Sequence, residues 1–139
     1  MNEKLNEGLK KLGLEFSQNQ ISRIETYISC VLEFNKTYNL MKADSKDELT
    51  VNHILDSLAA APSIASFIQK IQEKKNIAAL QIADIGSGGG CPGIPLAVAF
   101  PEQNFTLIER MEKRCGFLES AVCKMNLSNV NVNCIQADL

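Results

Sequence analysis

ADIGSGGGCPGIPLA, residues 83–97, begins inside the short apolar run LQIADI and places a glycine cluster where a strand should give way to a helix. A strand, a glycine turn and a helix in that order usually receive a ligand, and several cofactor loops share the pattern. Gly88 and Gly93 have the G-x-x-x-x-G spacing of a phosphate-cradling loop. Ile94 and Pro95 stand where its Lys and Ser/Thr belong, so nothing is left to hold β- and γ-phosphates. Gly88-x-Gly90-x-x-Gly93 satisfies the dinucleotide pattern, in which a pyrophosphate rests on a helix N-terminus. Asp84 lies just before the glycines, and a fixed carboxylate facing the loop repels a pyrophosphate.

The other register is Asp84-x-Gly86-x-Gly88-x-Gly90. Its acid comes first, and its glycines let the backbone approach a compact ligand. S-adenosylmethionine fits these demands, with an ammonium, a sulfonium, a ribose diol and no phosphate. The diol needs an acceptor from the next strand, and Glu109 ends FTLIE. Asp138 ends a third strand, where an adenine amino group can be read. Three acids at three successive strand ends are more specific than the glycines. The competing account makes Asp84 a turn or capping residue and Glu109 a solvated acid, with glycines present for packing.

Working outward, GIPLAVAF reads as a helix entered through Pro92 and Pro95 and closed by Pro101. Met111, Cys115, Leu118, Val122 and Met125 form a helical stripe, and VNVNCI a weaker strand. Residues 80–135 therefore read βαβαβ, which implies a parallel sheet. Upstream the chain reads as helices. Ser17 caps a stripe of Ile21, Ile24, Ile28, Val31, Leu32 and Tyr38. Ser45 to Glu48 fits a capping box opening a helix through VNHILDSLAAA. Pro62 interrupts it, SIASFIQKI continues as a shorter helix, and QEKKN is a polar loop. The expected layout is α/β: an N-terminal helical cap, residues 1–78, on the first half of a doubly wound domain, residues 79–139.

At 139 residues and 45% hydrophobic, the chain is sized for one globular unit. Its net charge of −2 gives no bulk attraction to nucleic acid, so a polyanion needs a local basic patch. The five cysteines, Cys30, Cys91, Cys115, Cys123 and Cys134, are odd in number and make no C-x-x-C pair. They read as reduced thiols, not a disulfide framework or a zinc site. MNEKLNEGLKKL lacks the apolar core of a signal peptide, and no apolar run approaches the ~20 residues that cross a bilayer. The expectation is a cytoplasmic protein with neither metal nor membrane.

YNLM (38–41), HILDSLAAAP (53–62), ADIGSGGGCPGIPLA (83–97) and EKRCGFLESAV (112–122) stand in an order and spacing that resembles the bacterial RsmG family, also called glucose-inhibited division protein B. The resemblance covers nearly the whole chain, and PGIPLA and HILDS discriminate better than the glycines. It implies a Rossmann-like methyltransferase fold and S-adenosylmethionine-dependent methylation of guanine N7 in 16S rRNA. The implied partner is 16S rRNA or the small ribosomal subunit, and the full-length protein a monomer. By residue, it places Asp84, Gly86, Gly88 and Gly90 around the methionine part of the cofactor and Glu109, often Asp in the family, on the ribose. Asp138 falls near the adenine, with Gln136 where a basic residue is common. Ser87, Pro92 and Arg110 complete the expected cofactor-binding set. Family members continue well beyond Leu139, so the chain is expected to be a truncated form lacking the rest of the sheet and having little activity alone.

The chemistry asks little of acid–base groups. Guanine N7 is an unprotonated lone pair, so alignment with the methyl donor does most of the work, and unstacked RNA leaves the base reachable. Cys91 is accordingly read as a loop-packing residue and His53 as a structural one near Asp56 and Ser57. No catalytic residue is assigned. Lys113 and Arg114, beside Arg110 on the ligand side of the sheet, are the choice for RNA phosphates. The rival readings are a nicotinamide-dependent oxidoreductase half-domain and a non-catalytic fragment. In the methyltransferase reading, Asp84→Ala or Glu109→Ala in a full-length version abolishes cofactor binding and leaves the fold intact.

Overall fold

The computed structural model describes residues 2–135. Its helices are α1 Glu3–Leu12, α2 Gln18–Asn35, α3 Lys46–Leu49, α4 Asp56–Leu58, α5 Ala61–Lys75, α6 Gly93–Ala99 and α7 Glu112–Met125, and a π-helical stretch, Thr50–Leu55, joins α3 to α4. The strands are β1 Gln81–Ile85, β2 Asn104–Glu109 and β3 Val130–Cys134. They form one parallel sheet in the order β1-β2-β3, with Asp84 opposite Leu107 and Glu109 opposite Cys134. The expected βαβαβ unit is therefore present among the described residues, with the parallel pairing of a Rossmann-like sheet.

Strand alternation decides which sheet face is covered. Phe105, Leu107 and Glu109 are buried along β2, on the side where α6 and α7 pack. The opposite face shows Ala83, Ile85, Asn131 and Asn133 to solvent. Among the described residues, β1 and β3 each pair along one edge only. Helix α6 is buried from Gly93 to Val98, sandwiched between the sheet and the upstream helices. A single core joins Leu5, Ile24, Tyr27 and Val31 of the upstream helices to Ile94, Leu107 and Leu118 of the sheet region. Each such side chain contributes about 1.5–3 kcal/mol by leaving water, so separating the two halves would be expensive.

Local details differ from the sequence expectation at five places. Helix α2 ends at Asn35, so Tyr38 lies in the following turn and is 40% exposed; Tyr27 takes the buried place on the stripe. Ser45 caps α3 by accepting from the Glu48 N–H at 3.1 Å, but the Glu48 carboxylate reaches past it to the Asp44 N–H at 2.8 Å. The VNHILDS region is π-helical up to Leu55, pinned where the Thr50 hydroxyl accepts from the buried Asn2 amide at 3.0 Å and donates to the Lys46 carbonyl at 2.8 Å.

Pro62 opens α5 in its first turn, where its missing N–H goes unneeded, and α5 runs on through Lys75. The polar QEKK that resembles a loop is a solvated helical face, ended by Asn76 in the left-handed region (φ 54°). Last, Cys115 and Cys134 form a disulfide, which corrects the expectation that all thiols are reduced. The helix after β2 returns along β3 and brings their Cα atoms to 5.7 Å, within bridging range. Cys30, Cys91 and Cys123 are free, and Cys123 is exposed on α7.

Candidate cofactor site

The glycine loop is built by hooking its start onto the neighbouring strand. Gly86 and Ser87 both donate their N–H groups to the Ile108 carbonyl, at 2.8 and 3.1 Å. That bend requires positive φ at Gly86 (76°) and Gly88 (57°). A Cβ at either position would meet open space, so the backbone itself forms the exposed lip of the loop. Gly90 also has positive φ (105°) but faces inward: a Cβ there would collide with Ile94 and approach the Tyr27 hydroxyl. Its lack of a side chain serves packing beneath the loop.

Asp84 and Glu109 flank the lip from adjacent strands. Asp84 Oδ2 accepts from the Gly93 N–H at 3.2 Å, at the start of α6, and the buried Ser87 hydroxyl donates to the Asp84 carbonyl at 2.8 Å. Among the described residues Asp84 Oδ1 takes no backbone N–H and no ion pair, and the Ser87 hydroxyl lies near enough to the carboxylate to favour its charge. Partial burial pushes the Asp84 carboxyl above its ordinary pKa, only partly offset by Ser87 and Gly93. Glu109 is only 5% exposed. Its Oε1 accepts from Gly88 N–H at 2.9 Å, and its Oε2 from Arg110 and Met111 N–H at 3.0 and 2.9 Å. Burial alone would raise its pKa, but the three N–H donors and the Arg114 charge outweigh it and hold the carboxyl below its ordinary value.

Beside these acids lies an open hollow of about 340 Å³ at the carboxyl ends of β1 and β2. Gly86, Glu109, Arg110 and Arg114 line it, with Ile85 and Met111 as apolar walls. The structure thus brings Asp84, Gly86, Ser87, Gly88, Glu109 and Arg110 to one strand-end cluster. Pro92 is exposed at the entry to α6. Arg114 joins the hollow, whereas Lys113 points away, its Nζ 4.4 Å above the Tyr38 ring. Asp138 and Gln136 lie outside the described residues.

Sequence reasoning missed the support beneath the loop. The fully buried Tyr27 hydroxyl donates to the Gly89 carbonyl at 2.7 Å and lies 3.4 Å from Cys91 Sγ. Burial raises the Cys91 thiol above its ordinary pKa, which disfavours the thiolate a nucleophile needs. Leu40 and Met41 press on Gly89 from the cap. Asn35 shapes their turn, accepting from Leu40 and Met41 N–H at 3.0 and 3.2 Å and donating to the Met41 carbonyl at 2.9 Å. His53 Nε2 lies 3.1 Å from the Lys42 carbonyl, and Ser57 donates to the His53 carbonyl at 2.6 Å. Both residues hold the cap together. The signal for Tyr27 was a tyrosine on an otherwise aliphatic stripe, since a buried phenol needs a partner.

A protein-family model described as "GidB: rRNA small subunit methyltransferase G" matches residues 20–139. The chain belongs to the GidB family. Relatives named ribosomal RNA small subunit methyltransferase G resemble it along most of its length. That of Ectopseudomonas mendocina (strain ymp) is 37% identical over 130 residues, covering 94% of this chain and 56% of its own. That of Alteromonas mediterranea is 39% identical over 124 residues, 89% of this chain and 53% of its own. That of Neisseria meningitidis serogroup B is 36% identical over 130 residues, 94% and 57%. This GidB-family chain therefore spans about half the length of the curated relatives it matches. Among the described residues no helix is long and apolar enough to cross a membrane.

Proposed function

We propose that these residues form the cofactor-gripping part of an S-adenosylmethionine-dependent methyltransferase that acts on N7 of a guanine in 16S rRNA. Family membership supports methyl transfer to small-subunit rRNA. The observation that carries the cofactor assignment is the state of the first N–H of α6: Asp84 already occupies it. A dinucleotide's pyrophosphate would have to sit there, against a carboxylate. A ligand without phosphate, carrying its own positive charges, meets no such conflict.

The residues present suit that ligand. Gly86 and Gly88 offer bare backbone with nothing over them. Glu109 is held ionised, and its Oε1 accepts one N–H only, which leaves acceptor capacity for a ribose hydroxyl. Asp84 Oδ1 is the free acceptor for an ammonium. Ser87 fixes the bend, Gly90 and Pro92 shape the loop's exit, and Arg110 borders the hollow. Asp138 is proposed for the adenine. When bound, the cofactor supplies an activated methyl group on a sulfonium. The protein's part is to fix the lip and keep both acceptors in place, because N7 attacks as a free lone pair and no base must remove a proton.

Isothermal titration tests the assignment. S-adenosylhomocysteine is expected to bind and NADH to give no heat. Tight NADH binding with no response to S-adenosylhomocysteine would overturn it in favour of the oxidoreductase reading.

A further inference from the structure

A second hollow, about 460 Å³, runs between α2 and α7 on the cap side of the molecule. Phe34 and Phe117 form its floor, with ring centroids 5.1 Å apart, and Tyr38 closes one end, 4.9 Å from Phe34. Gly116 contributes no side chain, and a Cβ there would meet open space, so the α7 wall stays low. Lys113 and Lys124 mark the two ends, eleven residues and therefore about 16 Å apart along the helix. The Glu33 carboxylate on the α2 wall is taken by Lys36 at 3.0 Å. Among the described residues neither Lys113 nor Lys124 has a carboxylate within ion-pair distance.

Aromatic rings flanked by unpaired cations are the elements that grip single-stranded nucleic acid: bases stack and phosphates are neutralised. The groove is tied to the cofactor loop through the chain. Tyr38 is followed by Leu40 and Met41, which press on Gly89, and Lys113 is in the first turn of α7, just past Glu109. Resting on the methyltransferase reading above, we propose that this groove binds a nucleotide of single-stranded RNA flanking the target base. The base takes the Tyr38 face now covered by Lys113, the freed ammonium moves onto a phosphate, and Lys124 holds the next phosphate along the groove. The exposed contact between Lys113 and Tyr38 is weak enough to be exchanged in this way.

Fluorescence anisotropy with a labelled single-stranded oligoribonucleotide and the 139-residue chain tests the proposal. Tyr38→Ala is expected to weaken binding roughly tenfold, and Tyr38→Phe to retain it because the ring survives. Lys124→Glu is expected to weaken binding and to lower the slope of log affinity against log salt by about one. Lys74→Glu/Lys75→Glu, at the end of α5 outside the groove, should change affinity less than twofold. Absence of RNA binding by the wild type overturns the proposal. So does wild-type affinity in both Tyr38→Ala and Lys124→Glu, or an equal loss in the α5 control. Titration of each variant with S-adenosylhomocysteine separates the two readings. If the wild type binds RNA through Tyr38 and Lys124 but never binds S-adenosylhomocysteine, the methyltransferase reading falls and the groove stands.

Discussion

Asp84 and Glu109 stand at the carboxyl ends of neighbouring parallel strands and face the same loop, yet their electrostatic settings are opposite. Asp84 is half buried with one backbone N–H on its carboxylate, and its pKa is pushed up. Glu109 is almost fully buried with three, and its pKa is pushed down. Burial penalises both charges, and at Glu109 the additional N–H donors together with the Arg114 charge reverse the sign. The difference separates structural from ligand-facing duty. Glu109 holds three backbone N–H groups, tying the glycine loop to the end of its own strand, and spares one acceptor, whereas Asp84 spends one oxygen on α6 and leaves the other free of backbone donors.

The largest effect is therefore expected at Glu109. Glu109→Gln replaces one acceptor oxygen with an amide that opposes backbone N–H groups, and should cost about 3 kcal/mol in urea unfolding at neutral pH. It should also remove S-adenosylhomocysteine binding in titration. Its ionised form is favoured in the fold, so the stabilisation is present above the ordinary glutamate pKa and is lost as pH falls through the depressed folded value. The variant should show a shallower loss of stability on acidification than the wild type. A Glu109→Gln protein as stable as the wild type would break the contrast, since the three N–H donors would then carry no weight. The expectation from sequence that Glu109→Ala spares the fold is revised on the same geometry.

The contrast was half legible in the sequence. A strand-length apolar run ended by Gly86 and a helix closed by Pro101 gave the start of the βαβαβ order, and acids at successive strand ends pointed to the loop. Neither signal reports what each carboxylate bonds to. The Gly88 N–H reaches Glu109 only because the parallel register sets β1 and β2 side by side. Tyr27 was obscured for the same reason, as its partner Gly89 is 62 residues away. The Cys115–Cys134 bridge depends on α7 returning beside β3, which spacing alone does not encode. The π-helical stretch breaks the 3.6-residue period on which helix reading rests. Helix α5 was cut short because a solvated face carries no apolar stripe in its last turn.

Tyr27 offers a way to sharpen the comparison from below the loop. Its hydroxyl holds Gly89 from α2, independently of either acid. Tyr27→Phe keeps the buried ring and leaves the Gly89 carbonyl without that donor, a loss of about 1.5 kcal/mol in thermal or urea unfolding. If the loop is positioned chiefly by the Glu109 clamp, S-adenosylhomocysteine affinity should fall only severalfold. A loss as complete as that of Glu109→Gln would make the cap an equal partner in shaping the site.

Asp84→Asn should move stability least and be the most informative about the ligand. The raised pKa means that the folded state disfavours the ionised aspartate, so Asp84's contribution is greatest below the ordinary aspartate pKa and is lost as pH rises through the folded value. This is the reverse of Glu109, and the two partly cancel in the wild-type acid titration; only the paired single variants resolve them. Asparagine keeps a carbonyl oxygen for the Gly93 N–H and removes the charge, so stability at neutral pH should stay within about 1 kcal/mol of wild type. Titration with S-adenosylhomocysteine then isolates the charge. Loss of affinity without loss of stability would assign the free oxygen to the ligand's ammonium. Unchanged affinity would confine Asp84 to the start of α6 and leave Glu109 and the bare backbone of Gly86 and Gly88 as the groups that recognise the cofactor.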